Sequence, residues 1–207
     1  MNPITAPMEI ENKSMEIISG ILGDRGLDPE NEAVIKRVIH ATADFEFADN
    51  LYFSKHAVSL GIEALRKGCD IVTDTQMAKA GINKSILSKL GGTVHCFMSD
   101  PDVAEEAKAR GVTRAIISME RSRNLGNSCI YAIGNAPTAL FALKKMIDAR
   151  EISPALVIAV PVGFVNVVES KELIMAADVP NITARGRKGG STVAAAVCNA
   201  LLYQITR

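Results

Sequence analysis

The stretch from Ile130 to Phe141 constrains the fold more than any other part of the sequence. A short apolar run, Ile130 to Ile133, passes through a Gly-Asn turn into a helical pattern. Gly134 permits a backbone turn that a side chain would block, and Pro137 suits the first turn of a helix, where its missing N–H costs nothing. Such strand–turn–helix units place backbone N–H groups at the carboxyl edge of a parallel sheet, where open α/β sheets bind ligands. The segment therefore predicts a ligand site at that edge.

Short apolar runs alternate with helical patterns from Asp70 onward. The alternation predicts an α/β protein: a three-layer α/β/α fold with a mostly parallel sheet of about five strands and a helical N-terminal segment. The predicted strands are Asp70–Thr73, Thr93–Met98, Arg114–Ser118, Ile130–Ile133 and Ala155–Val160. The predicted helices are Ser14–Leu22, Asp28–Asp44, Ser54–Lys67, Asp102–Arg110, Pro137–Ala149, Ser170–Ala176 and Ser191–Tyr203.

Length and composition exclude several classes of protein. The 207 residues suit one domain, with residues 1–13 as a loose N-terminal arm. Acidic and basic residues balance, which argues against a general nucleic-acid binder, and no run reaches the roughly 18 apolar residues of a membrane span. The N-terminus lacks a signal-peptide pattern, and the four cysteines are widely spaced without a CxxC motif. We therefore expect reduced core thiols, no zinc site and a cytoplasmic location.

Three glycine-containing turns are candidate binding elements: residues 134–137, 161–164 and 185–191. The third, Arg185-Gly186-Arg187-Lys188-Gly189-Gly190-Ser191, precedes a helix of small residues. Free N–H groups at a helix start, with Arg and Lys nearby, suit an anion, although a basic surface turn has the same composition. GxGxxG and GxxxxGK[ST] motifs are absent, so nucleotide binding has little support.

His40 is the candidate proton-handling residue. At 100° per residue it shares a helical stripe with Arg37 and Asp44, opposite an apolar face. The stripe is either a solvated helix face or a histidine and a cation facing a pocket, where a nearby arginine favours the neutral imidazole. Gln76 and Met77 follow a predicted strand and either contact a ligand or begin a helix.

Together these motifs resemble the precorrin-8X methylmutase family of cobalamin biosynthesis. The resemblance covers about residues 14–203, in the family's order. It is carried by Arg37-Val38-Ile39-His40-Ala41, Ile71-Val72-Thr73-Asp74-Thr75-Gln76-Met77, Ile133-Gly134-Asn135-Ala136-Pro137-Thr138-Ala139-Leu140, Pro161-Val162-Gly163-Phe164-Val165 with Glu169-Ser170-Lys171, and Gly186-Arg187-Lys188-Gly189-Gly190-Ser191. The stretch Glu120–Asn127 departs from the family pattern, so Arg121 and Arg123 receive no role.

The resemblance implies an isomerase that moves a methyl group from C11 to C12 of precorrin-8X or cobalt-precorrin-8. It places the catalytic histidine at His40, acting as proton donor or shuttle. It also implies no cofactor and a homodimer with its site near the interface. The predicted substrate-binding residues are Ser14, Arg37, Arg114, Gln76, Met77, Gly134, Asn135, Gly163, Arg187, Gly189, Gly190 and Ser191.

The residues themselves agree with such a reaction. A sigmatropic shift needs a shaped pocket, anchors for carboxylates and one proton-handling group, but no nucleophile, metal or redox cofactor. Two alternatives remain: a non-catalytic corrinoid carrier with the same pocket, and a nucleotide-binding α/β enzyme that uses the 185–191 turn. The sequence leaves open whether the substrate carries cobalt.

Overall fold

The computed structural model describes residues 4–125 and 128–206, which form a three-layer α/β/α fold. The strands in this part of the chain are β1 (Leu51–Phe53), β2 (Ile71–Thr73), β3 (Val94–His95), β4 (Ile130–Ile133), β5 (Leu156–Ala159) and β6 (Asn181–Ala184). The α-helices there are α1 (Pro7–Leu22), α2 (Pro29–Thr42), α3 (Phe47–Asn50), α4 (Ala57–Arg66), α5 (Gln76–Gly81), α6 (Lys84–Lys89), α7 (Pro101–Arg110), α8 (Arg114–Ser122), α9 (Pro137–Asp148), α10 (Val167–Met175) and α11 (Ser191–Thr206).

The strands form one sheet in the order β1-β6-β5-β4-β2-β3. All neighbouring pairs are parallel except β1 and β6, where Leu51 lies opposite Ala184. The predicted α/β class and mostly parallel sheet are confirmed, with six strands in the described residues where about five were expected. The carboxyl ends of β2, β4, β5 and β6 therefore share one edge of the sheet, and the loops that follow them lie side by side there.

Both faces of the sheet are covered by helices. Along β4, Ile130 and Ala132 belong to the apolar core shared with α2, α4 and α11, whereas Tyr131 and Ile133 belong to the core shared with α8, α9 and α10. This alternation places successive side chains on opposite faces. Helix α11 contains no charged residue and lies largely in the first core, which explains its apolar composition on almost every side.

One predicted strand is a helix in the structure, and two strands of the sheet were not predicted. Residues 114–118 form the start of α8 rather than a strand, and the Thr113 side chain caps that helix by accepting from the Ile116 N–H. A short apolar run cannot by itself distinguish a buried helix from a strand. Strands β1 and β6 were not predicted: β1 has three residues, and β6 contains buried Asn181 and Thr183, which bond to each other at 3.0 Å.

The N-terminal segment is more helical than predicted. Helix α1 begins at Pro7, so residues 7–13 form helical turns rather than a loose arm, while residues 1–3 lie outside the described part. Proline is favoured in the first turn of a helix, and Ile18 and Leu22 bury the helix against the core. Helix α2 is capped as expected, since the Asp28 carboxylate accepts from the Glu30 N–H at 2.9 Å.

The four cysteines are buried, and none of them forms a disulfide with another. Burial raises the pKa of Cys69 to about 11 and the pKa values of Cys129 and Cys198 to about 12. The expectation of reduced core thiols is thus met in the fold. Across residues 4–125 and 128–206, no helix combines the length and apolar composition that crossing a bilayer requires.

Candidate active site

A buried carboxylate holds the Gly-Asn turn that follows β4. Asp74, at the end of β2, accepts from the Gly134 N–H at 2.8 Å through Oδ1, and through Oδ2 from Asn135 at 2.8 Å and Ala136 at 2.6 Å. Burial raises the pKa of the Asp74 carboxyl, and the three backbone N–H donors oppose that shift. Asp74 was not among the predicted site residues. An aspartate directly after a buried parallel strand was the available signal.

Ser191, the first residue of α11, lies directly against this turn. A Cβ atom on Gly134 would come within 2.7 Å of the Ser191 Cα, so only glycine permits the approach. The Ser191 hydroxyl also lies 2.7 Å from the Thr75 hydroxyl, which caps α5 by accepting from the Ala78 N–H. The loops after β2 and β4 and the start of α11 are therefore one connected unit.

A cleft of about 310 Å³ opens beside this unit, and His40 lines it. Four predicted residues, Arg37, His40, Met77 and Ser191, line the same cleft. The remaining lining comes from α2, α5 and α11: Ala41, Gly81, Thr192, Ala195, Ala196, Asn199 and Tyr203. The residues that the sequence placed far apart thus meet in one concave surface, which combines charged and polar groups with small residues of α11.

Ser14 and His40 form a hydrogen-bonded pair. The Ser14 Oγ on α1 lies 2.8 Å from the His40 Nδ1 at the end of α2. When the hydroxyl donates to Nδ1, the ring carries its proton on Nε2, and that nitrogen can donate to a ligand. The pairing orients the imidazole through Nδ1 and leaves Nε2 without this contact. The resemblance assigned Ser14 to substrate contact, and the geometry adds an orienting contact to His40.

Arg37 is anchored in the protein rather than solvated. Its Nη2 lies 2.6 Å from a Glu11 carboxylate oxygen, and its guanidinium carbon lies 5.0 Å from the centre of the Tyr203 ring. Only 16% of its side chain is exposed. The alternative of a fully solvated helix stripe is therefore wrong for Arg37. Asp44 lies beyond the end of α2 and pairs with Lys188 at 2.6 Å, and this cation lowers the pKa of the carboxyl.

The 185–191 turn packs against the loop after β5. The Gly190 N–H donates to the Val160 carbonyl at 2.8 Å, and the Gly163 N–H donates to the Arg187 carbonyl at 3.2 Å. Gly189 has a φ of +158°, and a Cβ there would lie 2.1 Å from the Val160 oxygen, so this contact requires glycine. The structure thus brings the predicted residues Gly163, Arg187, Gly189 and Gly190 to the same sheet edge as Ser191.

Gln76 and Arg114 lie near the end of β3, where they contact the residues that follow this strand. The Gln76 Nε2 donates to the Ser99 hydroxyl at 3.2 Å, and the Arg114 Nη1 donates to the Met98 carbonyl at 3.4 Å. Neither residue lines the cleft that contains His40. Arg121 and Arg123, which received no role, form ion pairs with Asp102 and Glu151. Asn127 lies outside the described residues.

The rim of the site carries large apolar side chains in contact with solvent. Phe164 is 86% exposed, Val165 76% and Met77 69%, and all three follow the carboxyl ends of strands β5 or β2. In residues 4–125 and 128–206, no group of three or more His, Cys, Asp or Glu side chains is arranged to hold a metal ion. The exposed apolar rim beside a basic turn suits a large ligand with apolar faces and carboxylates.

Fold and site together define an α/β enzyme with a cleft at the carboxyl edge of a parallel sheet, containing one histidine oriented by a serine. The family model for precorrin-8X methylmutase matches residues 9–204. A cobalt-precorrin-8 methylmutase of Priestia megaterium is 46% identical over 200 residues, which span 96% of this chain and 89% of that protein. A precorrin-8X methylmutase of Pseudomonas aeruginosa is 40% identical over 178 residues, 85% of each chain.

A solved structure agrees with these sequence matches. The crystal structure of a precorrin-8x methyl mutase from Thermus thermophilus superposes with a TM-score of 0.87 at 39% identity, covering 95% of this chain and 97% of that one. The chain belongs to the precorrin-8X methylmutase family. It is an isomerase of cobalamin biosynthesis, an intramolecular transferase, as the resemblance of its motifs predicted.

Proposed function

We propose that this enzyme moves a methyl group from C11 to C12 of precorrin-8X or cobalt-precorrin-8, giving hydrogenobyrinate or cobyrinate. The observation that carries the proposal is that His40, which lines the cleft, is paired with Ser14 at an Nδ1–Oγ distance of 2.8 Å. His40 acts as proton donor or shuttle to the macrocycle through Nε2. The proton selects the product tautomer, while the carbon–carbon bond that breaks at C11 and the one that forms at C12 stay within the substrate.

The substrate carboxylates are held by the basic groups around the cleft. Arg37 lies in the cleft wall, and Arg187 stands on the turn that joins the cleft at Ser191. The Arg187 side chain has no hydrogen-bond or ion-pair partner among residues 4–125 and 128–206. A guanidinium fits a carboxylate through two parallel hydrogen bonds, so an unpaired arginine at the rim is suited to this role.

Replacing Arg37 with alanine is expected to weaken binding of the corrinoid product by roughly ten- to a hundredfold, because a charge-assisted hydrogen bond is lost. The affinity is measured by titrating hydrogenobyrinate and following its visible absorption. Lys36→Ala is the matched control, since Lys36 neighbours Arg37 but pairs with Glu32 at 2.5 Å and lies outside the cleft. Equal affinities of the two variants for hydrogenobyrinate would show that Arg37 does not bind the corrinoid.

The reaction is tested with both forms of the substrate. After dialysis against a strong chelator, the enzyme is assayed separately with metal-free precorrin-8X and with cobalt-precorrin-8, and turnover of at least one is expected without added metal or nucleotide. Activity on one form alone decides which branch the enzyme serves. Loss of both activities, restored by a divalent ion, would contradict the cofactor-free mechanism. Binding of product without turnover of either form would identify a corrinoid carrier instead.

We also propose that the enzyme is a cytoplasmic homodimer with its site near the interface. Ile10, Ile17 and Ile21 form an exposed apolar stripe on α1, on the same helical face as Ser14. A monomer leaves this stripe in water, whereas a second copy would cover it next to the cleft. Sedimentation equilibrium measures the mass, and a monomer at micromolar concentration would contradict the proposal.

A further inference from the structure

The motif Glu169-Ser170-Lys171 has no part in the site described so far, yet Lys171 is almost completely buried. It lies on α10, its exposure is 1%, and it is absent from the lining of the cleft. Its Nζ donates to the Gly186 carbonyl and to the Lys188 carbonyl, each at 2.8 Å. The Lys171 side chain thus extends from α10 to the backbone of the 185–191 turn.

A lysine in this position is costly for the fold. No carboxylate pairs with Lys171 in the described part of the chain, and burial lowers its pKa to about 8. A buried ammonium group loses its hydration, and well-packed apolar residues are often at least as stabilising. Stability alone therefore gives a weak reason for a lysine here. What Lys171 provides, and an apolar residue would not, is the pair of hydrogen bonds to the turn.

The two accepting carbonyls lie on either side of Arg187. The Arg187 carbonyl itself accepts from the Gly163 N–H, and the next residues of the turn are fixed by the contact of Gly189 and Gly190 with Val160. The backbone around Arg187 is therefore held on both sides, while its exposed guanidinium has no partner in the described residues. Fixing the backbone reduces the entropy that the turn loses when a ligand binds Arg187.

We propose that Lys171 is a positioning residue, which holds the 185–191 turn so that Arg187 is presented to a carboxylate of the substrate. This inference rests on the proposed function for the identity of the ligand. Lys171 touches neither substrate nor reacting atoms, and it acts through Arg187. It therefore affects binding of the carboxylate rather than the proton transfer at His40.

The first experiment compares Lys171→Met, which keeps a long unbranched side chain but removes the donors, with wild type. We expect KM for the substrate and Kd for the corrinoid product to rise by roughly tenfold or more, with kcat within about threefold of wild type. Ser170→Ala is the matched control, because Ser170 is buried on the same helix and, within the described residues, its hydroxyl bonds only to the Val167 carbonyl. The control is expected to retain wild-type KM and kcat.

A double variant separates action through Arg187 from general damage. Arg187→Ala should weaken binding about as much as Lys171→Met, and the Arg187→Ala/Lys171→Met protein should bind no more weakly than Arg187→Ala alone. Additive losses, or a Lys171→Met enzyme with wild-type KM and Kd, would overturn the proposal. If Lys171→Met does not fold, Lys171→Leu also removes every donor, and wild-type affinity in that variant would equally overturn the proposal.

A readout without ligand distinguishes this inference from the proposed function. Trypsin can cleave after Arg185, Arg187 and Lys188, and cleavage in the turn should be several-fold faster in Lys171→Met than in wild type or Ser170→Ala. If wild type binds no corrinoid, the proposed function is contradicted. Faster cleavage of Lys171→Met would in that case still show that Lys171 holds the turn. Unchanged cleavage, with normal turnover and binding, would contradict the positioning role alone.

Discussion

Replacing His40 with alanine is expected to lower the single-turnover rate by about 10²–10⁴-fold, the usual contribution of a general acid or base. Affinity for the corrinoid product should change little, because the proposed mechanism gives the proton to His40 and the carboxylates to the arginines. The rate is measured by following the visible spectrum of precorrin-8X after mixing with excess enzyme. A His40→Ala protein that converts substrate at the wild-type rate would exclude His40 from the chemistry.

Two variants test whether the His40 effect is specific. Ser14→Ala removes the hydrogen bond to Nδ1 but leaves the imidazole, so its rate should fall less than that of His40→Ala. His56→Asn is the control histidine, since His56 precedes α4 outside the cleft and has a φ of +59°, which asparagine tolerates. A rate loss in His56→Asn as large as that in His40→Ala would indicate a general effect of removing histidines.

Replacing Asp74 with alanine is expected to lower the free energy of unfolding by about 3–5 kcal/mol, because three backbone N–H groups lose their buried acceptor. Urea denaturation followed by circular dichroism measures this change. Activity should fall as well, because the turn held by Asp74 packs against Ser191 in the cleft wall.

Two further variants, Asp74→Asn and Asp148→Ala, are compared with Asp74→Ala. Asp74→Asn keeps one acceptor oxygen and should lose less stability than Asp74→Ala. Asp148→Ala removes an exposed carboxylate paired with Lys144 on α9, and we expect a change of about 0.5 kcal/mol or less. If Asp74→Ala were as stable as Asp148→Ala, the turn after β4 would hold its shape without the carboxylate.

Much of this protein follows from local patterns in its sequence. The buried strand Ile130–Ile133, the turn at Gly134 and the helix from Pro137 are each specified by neighbouring residues, because turn chemistry and apolar periodicity act over a few positions. The same holds for the cap at Asp28. The family resemblance added His40, Ser14 and Arg37, which the structure brings together, although their roles remain predictions.

Only the tertiary structure decided the rest, because it depends on residues that are distant in the chain. Whether residues 114–118 become helix or strand depends on which layer they pack against, and a short apolar run is compatible with both. Asp74 finds its partners 60 to 62 positions later, and Lys171 finds carbonyls across the turn at Gly186 and Lys188. The sequence determined the individual strands, turns and caps through local forces. The fold decided which buried charge meets which backbone group, since those partners are set by the parallel arrangement of the strands.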